Sequence, residues 1–388
     1  MMMSRGLWLL VLACLLGWAK PVTAHPILQT MVEVRLQPKA VRLHLVLPSS
    51  ELAFALVEAG QIPRPPPLFK AYPALPASMV RAYVFSHLAA KGRDGQAWRV
   101  AVQGLAPPNE RLPDGDPAKD WLVDVDLIPP DGQNVGSVVL RLGTITREVV
   151  NHTAIVSLMQ DWQGGVLPQN AVLLGRVERG EGSIAITPGA GLAWKAMVQM
   201  VQMGLWHIAE GADHQAFLLT LLLTAGLIPL GKGWVAAGGW RALTRDVVWR
   251  ASAFTLGHSL SLLATSLGWL PEGGQRIELL IALSVALSAL HTLHPIYAGR
   301  ETWIAGFFGL IHGMAFATAI RDMALPVGQV LLATLGFNIG IELAQLALVA
   351  VALPVVLMSR QWDAEAILRW SGALLALGCA LVWVVERI

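Results

Sequence analysis

Two rhythms divide the chain. Up to about residue 191, apolar and polar positions alternate in short runs. Val32-Glu33-Val34-Arg35-Leu36, Val41-Arg42-Leu43-His44-Leu45, Trp98-Arg99-Val100-Ala101-Val102 and Leu122-Val123-Asp124-Val125-Asp126-Leu127 each put every second side chain on one face, as half-buried strands do. Four more strands are predicted at 137–142, 153–159, 171–177 and 183–186, divided by Pro, Gly and Asp turns, with one helix over 77–90. This pattern suits a small antiparallel sandwich. Beyond residue 191 the alternation gives way to apolar runs at 212–230, 247–269, 277–297, 303–320, 327–357 and 365–385, each close to or above the roughly 20 residues that span a bilayer. The predicted architecture has two parts. An exported, mostly-β domain covers 25–191, and an all-α polytopic membrane domain of six transmembrane helices covers 192–388.

The first residues read as an address. Arg5 precedes the apolar run 6–19, and Val22-Thr23-Ala24 ends on a small residue, which predicts a secretory signal peptide over 1–24 and a mature chain starting at His25. Only 14% of residues are charged and the mean hydropathy is +0.56. The charges are unevenly spread, with 11 Lys+Arg and 11 Asp+Glu in the last 197 residues. A net charge of +2 without a basic run argues against nucleic acid as a partner. Of the two cysteines, Cys14 would leave with the signal peptide and Cys379 lies in an apolar helix, so no disulfide or thiolate cluster is expected. Lys232, Arg241, Arg245 and Arg250 crowd the first inter-span connection, which places it in the cytoplasm and the β domain on the periplasmic side of a bacterial-type inner membrane. Trp234, Trp240, Trp269, Trp303, Trp362 and Trp383 fall near span ends, where the headgroup layer suits an indole. Residues 193–210 are too polar for a comfortable span and read as an interfacial or partly inserted helix. Its Met197, Met200 and Met203 recur every three residues, as a packing stripe or as soft ligands for Cu(I).

Candidate chemistry comes from polar residues inside the apolar runs, where each is expensive and usually faces a partner or a path. Helical spacing puts His207, Glu210 and His214 on one face with Asp213 beside them, unless Gly211 breaks the helix and leaves Asp213 as an N-cap. Thr255, His258, Ser261 and Thr265 form a polar stripe. His312 lies midway along the fourth run, and Asn338, Glu342 and Gln345 share a face of the fifth. In the six-span reading these groups form a descending file: His207, Asp213 and His214 near the outer surface, His258, His312 and Glu342 near the middle, His291 and His294 near the inner end.

Gly204 to His214 followed by Phe217-Leu218-Leu219, together with 254–260, 277–284, 309–317 and 337–345, resembles the HupE/UreJ family of membrane proteins linked to nickel supply. The resemblance covers the membrane half and implies His207, Asp213, His214, His258, His312 and Glu342 as metal-handling residues. The expected function is movement of a first-row divalent ion (Ni, Co, Cu or Zn) along this file, with no organic cofactor. The lipid bilayer, the ion itself and a metallochaperone or periplasmic protein are the expected partners. Two other classes stay open: an intramembrane zinc hydrolase with Asp213 or Glu342 as base, and a non-transporting sensor or assembly factor whose β domain recruits a protein. His25, as a free N-terminus, could chelate Cu(II) or Ni(II). Gly204-Leu205-Trp206-His207 and Gly309-Leu310-Ile311-His312 echo each other, as inverted repeats do. His44, His87 and His152 lack metal-site spacing and read as structural.

Overall fold

The computed structural model describes residues 29–388 except 65–74, 109–119, 131–132, 232 and 272. The predicted signal peptide, Cys14 and His25 lie outside the described residues. Nine strands, β1 Gln29–Leu36, β2 Val41–Leu47, β3 Leu88–Gly92, β4 Ala97–Ala106, β5 Trp121–Ile128, β6 Val138–Leu142, β7 Thr153–Gln160, β8 Val172–Val177 and β9 Gly182–Ile186, form one sheet in the order β8-β7-β1-β2-β5-β4-β3-β6-β9. All pairs are antiparallel except β1 with β7. The end strands meet: a Cβ on Gly182 would lie 2.4 Å from Val177 Cγ2, and one on Gly175 2.7 Å from Ile184 Cδ1. The sheet is therefore curled and barrel-like, not two stacked layers as a sandwich requires. Period two still decides the faces, since Val41, Leu43, Leu45 and Leu47 are fully buried on the inner side while Arg42 and His44 face out.

The barrel closes through a strand that the hydrophobic pattern had assigned to a helix. Helix α2, Ala77–Ser86, stops four residues before the predicted end. His87 turns its Nδ1 to Tyr83 O at 2.7 Å and its Nε2 to Glu148 at 2.9 Å, and Leu88 then starts β3, which joins β4 to β6. A further helix, α1 Ser49–Glu58, was not predicted and packs Leu52, Ala55 and Leu56 into the sheet core.

The second part consists of α3 Ala193–Glu210, α4 Ala212–Thr224, α5 Trp240–Ser266, α6 Gln275–Leu293, α7 Glu301–Ala315, α8 Ala317–Arg321, α9 Val327–Gln361 and α10 Glu365–Glu386. Three of them, α6, α9 and α10, are long and apolar enough to cross a membrane. Two predicted spans are not single helices. The run 212–230 is helical only to Thr224 and ends in a hairpin of β10 Leu227–Leu230 and β11 Gly233–Ala236, and the run 303–320 breaks at Phe316 between α7 and α8. Apolar side chains cover the outside, with Trp303 84% and Trp269 75% exposed, while His258, Thr265 and His312 are buried inside. That inversion of the water-soluble arrangement fits a lipid surround. Trp234 departs from the expected girdle, because it is buried and donates its Nε1 hydrogen to His291 O.

Sheet and helices are joined by the segment after β7. Trp162 and Leu167 are buried in one apolar cluster with Met200, Phe337 and Ile320, and Gln199 Nε2 donates to Gly165 O at 2.9 Å. Met200 thus belongs to packing, as does Met197, whose sulfur lies against Gly336. The helix ends near this segment form the sheet side of the bundle; the end holding the β10–β11 hairpin is the far side.

Candidate metal centre

Four helices bring their imidazoles to one place. His207 ends α3 and His214 opens α4; the chain breaks between them at Gly211, yet their rings remain 4.6 Å apart. His258 lies 6.1 Å from His207 and 6.0 Å from His214, and His312 of α7 lies 5.0 Å from His214, all between ring centroids. One ligand nitrogen from each of His207, His214 and His258 falls within 4.8 Å of the other two. The descending file is thereby corrected: the bend at Gly211 carries His207 and His214 down to the depth of His258 and His312, so the four form a cluster and not a ladder.

The hydrogen bonds fix which nitrogens are available. Asp213 Oδ1 sits 2.8 Å from His214 Nδ1, and a carboxylate only accepts, so Nδ1 carries the hydrogen and Nε2 is bare. Ser284 donates its hydroxyl to Ile281 O, so it accepts from His312 Nε2 at 2.9 Å, which leaves His312 Nδ1 bare. His207 Nε2, His214 Nε2, His312 Nδ1 and both nitrogens of His258 are buried without a hydrogen-bond partner, as is Asn338 Oδ1 of α9 beside His258. A buried polar atom left unpaired costs about 1–3 kcal/mol, so such a concentration calls for a ligand that accepts lone pairs. A tetrahedral ion with bonds near 2.1 Å holds its donors about 3.4 Å apart, so modest rotations would close the set around a cation.

Aromatic rings seal the cluster at both ends. Phe316 and Phe337 stack at 4.2 Å on the sheet side, with Phe316 4.8 Å from His207. Phe254 and Phe217, 4.9 Å apart, cover the other side against His312.

The remaining sequence candidates fall elsewhere. Asp213 is close, but its carboxylate is engaged by His214. Glu342 is half-buried, at the edge of the inward face of α9, and makes no ion pair or hydrogen bond among the described residues; Asn338, one turn earlier, holds the position facing His258. Glu210 is exposed. His291 lies at the far side, where its Nδ1 accepts from the backbone N–H groups of Ile296 and Tyr297 at 3.1 and 3.2 Å. Its hydrogen therefore sits on Nε2, 3.8 Å from Glu301, which is also 4.0 Å from Arg250. This imidazole is a buried donor, unsuited to ligation. Glu301 escaped the sequence reading and Arg250 was read only as a charge of the first connection, because both stand near run edges, where a charge reads as a helix end. Ser284 also escaped it, although Ser284, Ser288 and Thr292 at spacings of four mark a polar stripe.

The helical part also matches a known family model. The HupE/UreJ protein model covers residues 186–387, more than half of the chain. The chain belongs to the HupE/UreJ family. Searches against curated proteins and against solved structures gave no match. The HupE/UreJ match begins at the last residue of β9 and contains every histidine of the cluster.

Proposed function

We propose that the helical part of this HupE/UreJ protein carries a first-row divalent ion across the membrane, with His207, His214, His258 and His312 as its central site. The carrying observation is the convergence of bare, buried imidazole nitrogens from four helices. Nitrogen donors without a free carboxylate disfavour Mg and Ca and suit Ni, Co, Cu and Zn. The family's general link to nickel and cobalt transport puts those two first. A site looser than a structural zinc centre suits an ion that must leave again. The β-rich part stands on the periplasmic side of an inner membrane in this reading, supported by the arginines of the far side, among them Arg241, Arg245, Arg250, Arg360 and Arg369. Hydrolase chemistry finds less support, since Asp213 is committed to His214 and Glu342 is not among the mutually close ligand groups.

The test is equilibrium binding of Ni2+ to the purified chain, paired with Ni2+ uptake into proteoliposomes. Wild type is expected to hold one ion, and His214→Ala and His258→Ala are each expected to lose at least about 100-fold in affinity and to abolish uptake. Wild-type binding by both variants would overturn the site, and stoichiometric binding without flux would favour a sensor or assembly role.

A further inference from the structure

The two helix pairs that carry the cluster are built alike, atom for atom at their crossings. In the first pair, a Cβ on Gly204 of α3 would lie 2.0 Å from Phe337 O and 2.9 Å from Ile341 N, and one on Gly340 of α9 2.0 Å from Val201 O and 2.9 Å from Leu205 N. In the second, a Cβ on Gly309 of α7 would lie 2.1 Å from Phe254 O and 3.0 Å from His258 N, and one on Gly257 of α5 2.1 Å from Gly306 O and 3.0 Å from Leu310 N. Gly204, Leu205 and His207 thus correspond to Gly309, Leu310 and His312, and Phe337, Gly340 and Ile341 correspond to Phe254, Gly257 and His258. The equivalence extends to the breaks, since each histidine is followed four residues later by the residue that interrupts its helix, Gly211 or Phe316.

Direction completes the picture. Residue numbers rise together across both crossings, so α3 is parallel to α9 and α5 to α7. Between pairs they run oppositely, because Thr255 bonds Gln345 while His258 faces Phe337. Helices α3 and α5 are therefore repeated in inverted orientation by α7 and α9, each half lending its first helix to the third helix of the other. The aromatic seals are exchanged by the same relation: Phe337 closes the sheet side and its counterpart Phe254 the far side. The symmetry is broken at the ligands, with Asp213-His214 and His258 matched by Thr318-Ala319 and Ile341, and in length, since α4 has 13 residues and α8 only 5.

We infer that the ion is passed by exchange between these copies. The pairs α3/α9 and α5/α7, each locked by backbone contact, rock against one another along the α5–α9 seam and open the cluster to one side at a time. A chain of two inverted halves has two mirrored arrangements of nearly equal standing, each half adopting in one the shape of its partner in the other. The structure described here, sealed by Phe316/Phe337 above and Phe217/Phe254 below, is the closed intermediate. This inference rests on the transport reading, and its test separates the two.

In a Cys14→Ser, Cys379→Ser background, Thr265→Cys reports the sheet side of the α5 polar stripe and Thr255→Cys the far side, with His258 between them. Labelling by a water-soluble maleimide is measured on the full chain with and without Ni2+, alongside the ion bound in the same samples. The expected result is opposite changes of at least threefold, one site speeding as the other slows. Equal or absent changes with Ni2+ bound overturn the exchange. A second arm needs no ion: a short bifunctional thiol reagent bridging Thr255→Cys to Gln345→Cys holds the far side shut. Amide exchange at the sheet-side ends of α5 and α9 must then rise at least threefold, and an unchanged rate overturns the exchange whatever the ion does. Absence of Ni2+ binding with a positive second arm overturns the metal reading alone.

Discussion

Asp213 takes the Nδ1 hydrogen of His214 and Ser284 takes the Nε2 hydrogen of His312, so each decides which nitrogen of its histidine is left bare toward the cluster. Partners of this kind orient a ligand and raise its basicity, and their loss typically lowers metal affinity 10–100-fold. Asp213→Asn keeps the shape but offers an amide N–H, which favours the opposite tautomer of His214. Its Ni2+ affinity is expected to fall by about 10–100-fold while thermal stability stays within about 1 kcal/mol of wild type; calorimetric titration at wild-type strength would refute the orienting role. At this scale the sequence was legible in kind and not in role. A carboxylate next to a histidine in an apolar run suggests metal chemistry, but only the 2.8 Å contact shows that Asp213 is taken up by the His214 ring. Glu342 shows the converse: its helical face looked right, but Asn338, one turn earlier on that face, is the residue beside His258.

Among elements, the decisive contacts are glycines on which a side chain has no room. Gly309 lets α7 touch the backbone of α5 and so sets how far His312 stands from His258. Gly309→Val must push the pair apart, with an overpacking cost of about 1–3 kcal/mol. Its unfolding temperature in detergent and its Ni2+ binding are both expected to drop. Gly378→Val on α10, where nothing lies within 4 Å, should leave both unchanged. If the two valine variants melt alike, close approach is not what holds the pair. Helix identities were readable from apolar runs, and Gly211 announced its own break. The break at Phe316 was not readable, because no residue there disfavours helix; it follows from the packing of Phe316 on Phe337 and His207.

For the whole molecule, acid should loosen the sheet at the β1–β7 seam. His152, buried at the β1–β7 seam, accepts from the Thr30 backbone N–H on Nε2 and is held neutral, its pKa pushed down to about 4 by burial. An unfolded chain binds that proton near pH 6.5, so the stability from the neutral ring is complete above that value. It is lost as pH falls toward 4, by on the order of 2–3 kcal/mol. The protection factors of β1 and β7 amides, which allow for the slower intrinsic exchange in acid, should fall over this window, with less dependence in His152→Gln; equal pH profiles for the two proteins would remove His152 as the cause. The strands themselves were legible, since all eight that the alternation predicted exist. Their closure into a barrel was not, because β3 is short and its joining of β4 to β6 depends on residues 46–54 positions apart pairing in register.

The burial of Trp162 and Leu167 among helix residues bears on how the molecule is made. This segment leaves the ribosome before any of the helices that enclose it, so its binding pocket does not exist while the sheet is first made. The sheet must wait with two large apolar side chains uncovered until the fifth apolar run, which supplies Phe337, has been inserted. Biogenesis therefore runs backwards along the chain at this joint: the last part of the bundle completes the first part of the protein, and a chain truncated before α9 would expose a sticky surface for quality control to recognise.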